Sequence, residues 1–385
     1  MIIEQRLWKP DTQWSVTRSD GDLTGHDAAQ LVLAFGSTRQ IGNPDRFDEL
    51  RAFYPDAHIV SCSTAGEILG ESFHEDSIVA TAIRFRATRL LASSLSIAEC
   101  KGSYAAGREL AGRMEQEGLA HLLVISDGQQ INGSELVRGL EAGVGPQVTI
   151  TGGLAGDGMH FMQTLAGLNV PASEGNVVVV AFYGDALNIG FGSVGGWDTF
   201  GADRVITRSE GNVLYELDGH SALELYKLYL GSLAEELPGS ALLFPLSIRE
   251  CESDTSVVRT ILSIDEENQS MTFAGDMPQG AYAKLMKANV NRLIEGASQA
   301  GSESLSRIGG GTPELAILIS CVGRRVVLGE LTEEEVEAIR TIMGEDTAIT
   351  GFYSYGEISP TVEAGRCELH NQTMTVTTLS ERVHA

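Results

Sequence analysis

Gly351-Phe352-Tyr353-Ser354-Tyr355-Gly356-Glu357-Ile358-Ser359-Pro360 is the stretch from which the fold can be read. It follows a strand-like Ala348-Ile349-Thr350 and sets an acid directly after a glycine. Glycine lets a backbone turn sharply and approach a neighbour closely, whereas a carboxylate such as Glu357 is costly to bury without partners. Two earlier segments repeat the setting. His58-Ile59-Val60-Ser61 runs into Cys62-Ser63-Thr64-Ala65-Gly66-Glu67, and Val148-Thr149-Ile150 leads to Gly152-Gly153-Leu154-Ala155-Gly156-Asp157.

Outward from these turns the surroundings also repeat. The apolar runs 31–35, 122–125 and 315–319 read as strands, and helices are expected over 44–53, over 133–141 and from 333 onward. Pro44 suits a first helical position, and Thr332 with Glu335 forms a capping box. Cys321-Val322-Gly323-Arg324-Arg325 reads as a loop, and further strands follow the turns at 78–85, 177–183 and 374–379. The unit is thus strand, loop, helix, strand, glycine-acid turn, strand. Its spacing is too long and irregular for a solenoid, so duplicated halves of a compact fold explain it better.

A different segment separates the second and third units. It opens on Gly195-Gly196-Trp197-Asp198-Thr199-Phe200-Gly201, with strands expected at 205–207, 241–248 and 257–263. An amphipathic helix is expected at 219–230 and a second helix at 280–300, before the joint Gly309-Gly310-Gly311-Thr312-Pro313. The first 27 residues are polar, with two tryptophans and Thr24 as the N-cap of a short helix. The expected fold is α/β: two related α/β domains, 1–190 and 191–385, with mixed sheets and internally repeated strand-helix-strand units.

The chain has 385 residues, is 43% hydrophobic, and can build two real cores. A net charge of -25 disfavours nucleic acid and anionic membranes as partners. Cys62, Cys100, Cys251, Cys321 and Cys367 are odd in number and scattered, which fits reduced thiols. With no signal-like N-terminus and no apolar run of membrane-spanning length, the expected location is the cytoplasm. No P-loop, dinucleotide fingerprint, zinc-protease motif or EF-hand loop occurs, so an enzyme is not expected.

Several residues invite a chemical role, each with a structural alternative. Glu67, Asp157 and Glu357 either project from strand ends into a cleft or bond local amides. Cys321 and Cys62 are reactive thiols at strand ends or buried structural ones, and neither has a local histidine partner. Arg324 either grips an anionic ligand or pairs with one of the chain's many acids.

Jointly, several motifs resemble the FIST family (F-box and intracellular signal transduction). In the N-terminal half they are Ser61-Cys62-Ser63-Thr64-Ala65-Gly66-Glu67-Ile68 and the stretch Gly152 to Asp157 quoted above. In the C-terminal half they are Gly211-Asn212-Val213-Leu214-Tyr215-Glu216-Leu217-Asp218-Gly219, Cys321-Val322-Gly323-Arg324, the opening stretch and His370-Asn371-Gln372-Thr373-Met374. The resemblance spans nearly the whole chain and implies a pair of FIST domains forming an intracellular sensor of small ligands. Its most concrete form is similar to haem-binding, nitric-oxide-sensing members that act on a partner histidine kinase.

For haem b, the expected iron ligand is His160, flanked by Met159, Phe161 and Met162, with His370 second and His74 and His121 kept open. The expected ligand-binding set is Gly153, Asp157, Cys321, Arg324, Tyr355, Glu357 and Asn371. A sensor of amino acids or other small anions without haem, a thiol-dependent enzyme using Cys321, and a ligand-free scaffold are the alternatives.

Overall fold

In a computed structural model, which describes residues 1–23, 28–237, 239–250, 256–309, 311–361 and 366–382, the repeats build three six-stranded sheets. Thr24, Cys251 and Gly310, named above, lie outside the described residues. The first unit runs β1 (Ile2–Lys9), β2 (Gln13–Ser19), β3 (Leu31–Gly36), α1 (Thr38–Ile41), α2 (Pro44–Phe53), β4 (His58–Ser63), β5 (Glu67–Leu69), β6 (Ser72–His74) and β7 (Ile78–Arg84). The second runs β8 (Arg89–Ser96), α3 (Ser103–Gly112), β9 (Leu119–Ser126), α4 (Gly133–Glu141), β10 (Thr149–Leu154), β11 (Ala166–Leu168) and β12 (Asn176–Tyr183).

The third unit opens with β13 (Leu187–Val194) and is then interrupted. The insertion holds β14 (Asp198–Glu210), β15 (Val213–Leu217), β16 (His220–Ser221), α5 (Ala222–Leu230), β17 (Leu246–Arg249), β18 (Val257–Arg259), β19 (Ile261–Asp265), β20 (Ser270–Phe273) and β21 (Tyr282–Lys287). These strands form one antiparallel sheet around a core of its own, which includes Ile206, Leu214, Tyr226, Met271 and Phe273. The unit resumes with α6 (Val290–Arg307), β22 (Leu315–Cys321), α7 (Val322–Leu328), α8 (Thr332–Met343), β23 (Ala348–Ser354), β24 (Gly356–Pro360), β25 (Cys367–His370) and β26 (Met374–Glu381).

Each of the three sheets has the same frame. Two parallel strands lie side by side, β3 with β4, β9 with β10 and β22 with β23. A later strand of the same unit returns antiparallel to the first: β7, β12 and β26 respectively. The strand directly after each turn goes elsewhere. β5 pairs with β23 of the third unit, β24 with β10 of the second, and β11 with β4 of the first. The three units therefore exchange strands in a cycle, and strands from both sides of residue 190 share sheets. The boundary at 190 falls inside β13.

The alternation of side chains explains why the first strands read as unbroken apolar runs. Leu31, Leu33 and Phe35 meet Leu123, Ile125, Leu315, Ile317 and Ile319 in a central core shared by all three sheets. The intervening Val32 and Ala34, Leu122 and Val124, and Ala316 and Leu318 face outward into three separate clusters. Strands buried on both faces need apolar residues at every position. Each fully buried Leu, Ile or Phe adds roughly 1.5–3 kcal/mol over an exposed one.

Local differences from the sequence reading have identifiable causes. Residues 282–287 are strand rather than helix: Ala283 and Leu285 are buried and alternate with the half-buried Tyr282 and Lys284, a period of two, and Asn289 caps α6 through the Arg292 amide. Residues 322–328 are helix rather than loop, ended by Gly329 at φ 56. The capping box does not form, because Glu335 turns inward to Arg324. Residues 239–243 form a 3-10 turn before β17. No helix among the described residues is long and apolar enough to cross a membrane.

Candidate functional site

The exchange of strands brings the three glycine-acid turns together. The Ala65 amide donates to Tyr353 O at 2.8 Å, the Gly156 amide to Ser63 O at 3.0 Å, and the Tyr355 amide to Leu154 O at 3.2 Å. Each turn thus bonds another, and the three close a ring. Gly156 serves close approach: a Cβ there would lie 2.9 Å from the Ala65 nitrogen. The acids stabilise this ring from inside. Glu67 accepts from the Thr64 and Ser77 hydroxyls, both at 2.6 Å, and Glu357 from Ser354 Oγ at 2.5 Å and Thr373 Oγ1 at 3.0 Å. Burial pushes both carboxyls up to about 8, against the lowering effect of those bonds. Asp157 accepts the Phe161, Met162 and Gln163 amides, each at 2.8 Å, and the Tyr355 hydroxyl. Phe161 stacks on Tyr355 with ring centroids 4.6 Å apart.

Away from the ring, a cleft of about 730 Å³ opens where the insertion meets the second sheet. One wall is α4 and β25, with Ser134, Arg138, Glu141 and Glu368; the other is the insertion, with Ile248, Val257, Arg259 and Asp276. The volume is in the range of small-ligand sites, and a junction between two bodies is a common place for one. Arg259 is 6% exposed and lies across this junction, donating to Leu369 O of β25 at 2.9 Å and to Asp276 O at 3.3 Å. Asp276 itself is held by Arg138 and by the Asn132 side-chain Nδ2, both at 3.0 Å. The Glu141 carboxylate accepts the Cys367 amide at 2.5 Å.

With these features in place, comparison with protein families is decisive. The FIST N domain model matches residues 30–220 and the FIST C domain model residues 222–360. The chain belongs to the FIST family. FIST domains are associated with small-ligand sensing in signal transduction. Comparison with curated proteins finds no match. The FIST N match ends after β15, so it takes in the first strands of the insertion, and the FIST C match covers the rest of it.

The residues expected to bind ligand in this FIST protein are mostly committed to the ring or to packing. Gly153 lies in β10, where a Cβ would meet Ile319 Cγ2 at 2.7 Å, so it serves the contact between two sheets. Asp157, Tyr355 and Glu357 hold the turns as described. Arg324 grips an anion, and that anion is Glu335: Nη2 lies 2.8 Å from Oε2 with both side chains fully buried. Its other donors go to Leu293 O at 2.7 Å and to Gly195 O. Cys321 is buried at the head of α7, and burial with the nearby Glu357 pushes its thiol up, opposite to an activated nucleophile. Cys62 is shifted in the same direction by burial and Glu67. Asn371 is buried, donates to Tyr355 O at 3.4 Å and leaves Oδ1 unpartnered.

The histidines expected as iron ligands stand in different settings. An axial ligand belongs inside an apolar cavity. His160 is exposed, on a loop whose Met159 and Met162 are 43% and 81% exposed. The His370 Nε2 bonds Ser359 O at 3.1 Å, and burial lowers its imidazole to about 4. His121 is enclosed between the Thr149 and Thr151 hydroxyls at 2.7 and 3.1 Å. His74 lies on β6 at the end of the third sheet, and no histidine among the described residues lines the cleft. Among the described residues no group of three or more His, Cys, Asp or Glu side chains is arranged to hold a metal ion.

The cleft escaped the sequence reading. Its one sequence-level signal is Arg259, a charged residue inside the apolar strand pattern Val257-Val258-Arg259-Thr260-Ile261.

Proposed function

We propose that the protein senses a small molecule bound in the cleft between α4, β25 and the insertion, and signals by shifting the insertion against the three-sheet body. The supporting observation is the position of the cleft. One wall belongs to the body and the other to the insertion, and Arg259 ties them through Leu369 O. A ligand between two bodies makes different contacts when they move, which is what a population shift requires. Among the described residues that line the cleft the thiol is Cys367, and burial pushes it well up, which disfavours a thiol nucleophile there.

A ligand that binds only the folded state raises the melting temperature by mass action. Screening small metabolites by thermal shift is expected to find compounds that stabilise the wild type but not Val257→Trp, whose indole fills the cleft. Stabilisation that ignores this substitution would move the ligand elsewhere. The haem-based nitric-oxide sensor acting on a histidine kinase is the finer version carried by family resemblance. Its test is the absorption spectrum with haem supplied: a Soret band that shifts with nitric oxide supports it, and no band removes it.

A further inference from the structure

Buried charges in proteins are normally paired, because an isolated one costs far more than an isolated neutral group. Arg259 departs from this. Its recorded partners are main-chain carbonyls, those of Val258, Asp276 and Leu369. Among the described residues no carboxylate oxygen lies within salt-bridge distance of its guanidinium. The nearest acids are engaged or displaced: Asp276 is held by Arg138 and Asn132, and Glu368 acts on Arg259 only at longer range.

Two further observations converge on the same point. Ser134 Oγ faces the cleft, is buried, and has no hydrogen-bond partner among the described residues. Gly275 lies between the two groups: a Cβ there would stand 2.8 Å from Arg259 Nε, 3.0 Å from its Cζ and 3.0 Å from Ser134 Oγ. Among the described residues, a cation without a counter-ion and an idle hydroxyl thus pack closely on the same glycine, and both line the cleft. Ser134 is also the second residue of α4, so the positive end of that helix lies beside them.

Resting on the cleft reading above, we infer that the ligand carries an oxyanion head, carboxylate or phosphoryl, that pairs with Arg259 and accepts from Ser134. The shared chemistry is that of an oxygen anion offered to a guanidinium fork and a hydroxyl. Because the same guanidinium bonds Leu369 O, an anion drawn onto it competes with or reinforces the tie between insertion and body. That gives the anion a direct hold on the junction that moves.

The experiment titrates inorganic phosphate and, separately, succinate against the full chain at constant ionic strength, read by thermal shift and calorimetry, with glycerol as a neutral control. Saturable stabilisation by at least one of the anions, and none by glycerol, is expected; which anion binds more tightly decides between phosphoryl and carboxylate. Arg259→Met should weaken that anion at least about tenfold, and Arg259→Lys, which keeps the charge but not the fork, less so. Gly275→Ala keeps every polar group, but its methyl presses on Arg259 and Ser134 and displaces them, so it should also weaken the anion, and it covers the case in which Arg259→Met does not fold. Binding lost in Val257→Trp but unchanged in both Arg259→Met and Gly275→Ala overturns the anion head and leaves the cleft reading standing. Binding indifferent to Val257→Trp as well overturns both, and no saturable binding of either anion overturns the inference.

Discussion

The protein buries two arginines in contrasting ways. Arg324 is fully enclosed, with Glu335 at 2.8 Å and two carbonyls on its remaining donors, and Glu335 is itself held by Ser320 at 3.0 Å and Tyr353 at 2.7 Å. Among the described residues Arg259 has only carbonyls as partners, and it opens on a cleft. The first is a closed network that ties α6, α7, α8 and β23 together; the second is a cation whose counter-charge is not supplied by the described chain. Burial of a charged group therefore says little by itself about function. What separates the two is whether the protein completes the pair.

The contrast breaks most readily at Arg324. Arg324→Met leaves Glu335 as a buried acid without its cation, and such a loss costs about 3–5 kcal/mol. Urea denaturation should show this as a lower midpoint with an unchanged slope. Removing both charges with Arg324→Met and Glu335→Leu should recover part of the loss, since the cost arises from the orphaned partner. A single substitution worth less than about 1 kcal/mol would mean that Arg324 is as loosely committed as Arg259.

How far the sequence shows this contrast depends on distance along the chain. The repeat of strand, helix and glycine-acid turn is visible because strands buried on both faces must be apolar at every position, as in Leu31-Val32-Leu33-Ala34-Phe35. The cyclic exchange is not visible, because Ile68 and Gly351, or Gly153 and Glu357, become neighbours only in the folded sheets. The same limit governs the sites. Arg324 stands out in the sequence beside Cys321 and Gly323, yet its partner is Glu335, whose spacing from Thr332 reads as a helix cap. The three groups that pack together at the cleft wall, Ser134, Arg259 and Gly275, come from a helix of the second unit and two parts of the insertion. No local pattern joins them.

The closed ring carries a pH dependence of its own. Glu67 and Glu357 have folded-state values raised to about 8, from about 4.3 when unfolded. Across that window the native state holds protons that the unfolded chain has released, so stability falls as pH rises from about 5 towards 8 and levels off above it. Glu75 on Glu67 adds to the rise and Arg324 on Glu357 opposes it, both secondary to burial. Each glutamate can contribute at most about 1.4 kcal/mol per pH unit. Glu67→Gln and Glu357→Gln should each flatten the profile measured by urea denaturation. A wild-type profile that rises through the same window would show that the ring carboxylates are ionised and satisfied.

The smallest effect is expected at Arg259 itself, and it bears most directly on the comparison. Arg259→Met removes a desolvated cation, which is favourable, and leaves the Val258, Asp276 and Leu369 carbonyls short of a donor, which is not. The carbonyls border a cleft that water can enter, so the two terms nearly offset and the change in stability without added anion should stay within about 1 kcal/mol. Set beside Arg324→Met in the same urea experiment, the two buried arginines would then differ several-fold in their worth to the fold. A loss at Arg259 as large as that at Arg324 would make it a structural tie, and the difference between a completed pair and an open one would disappear.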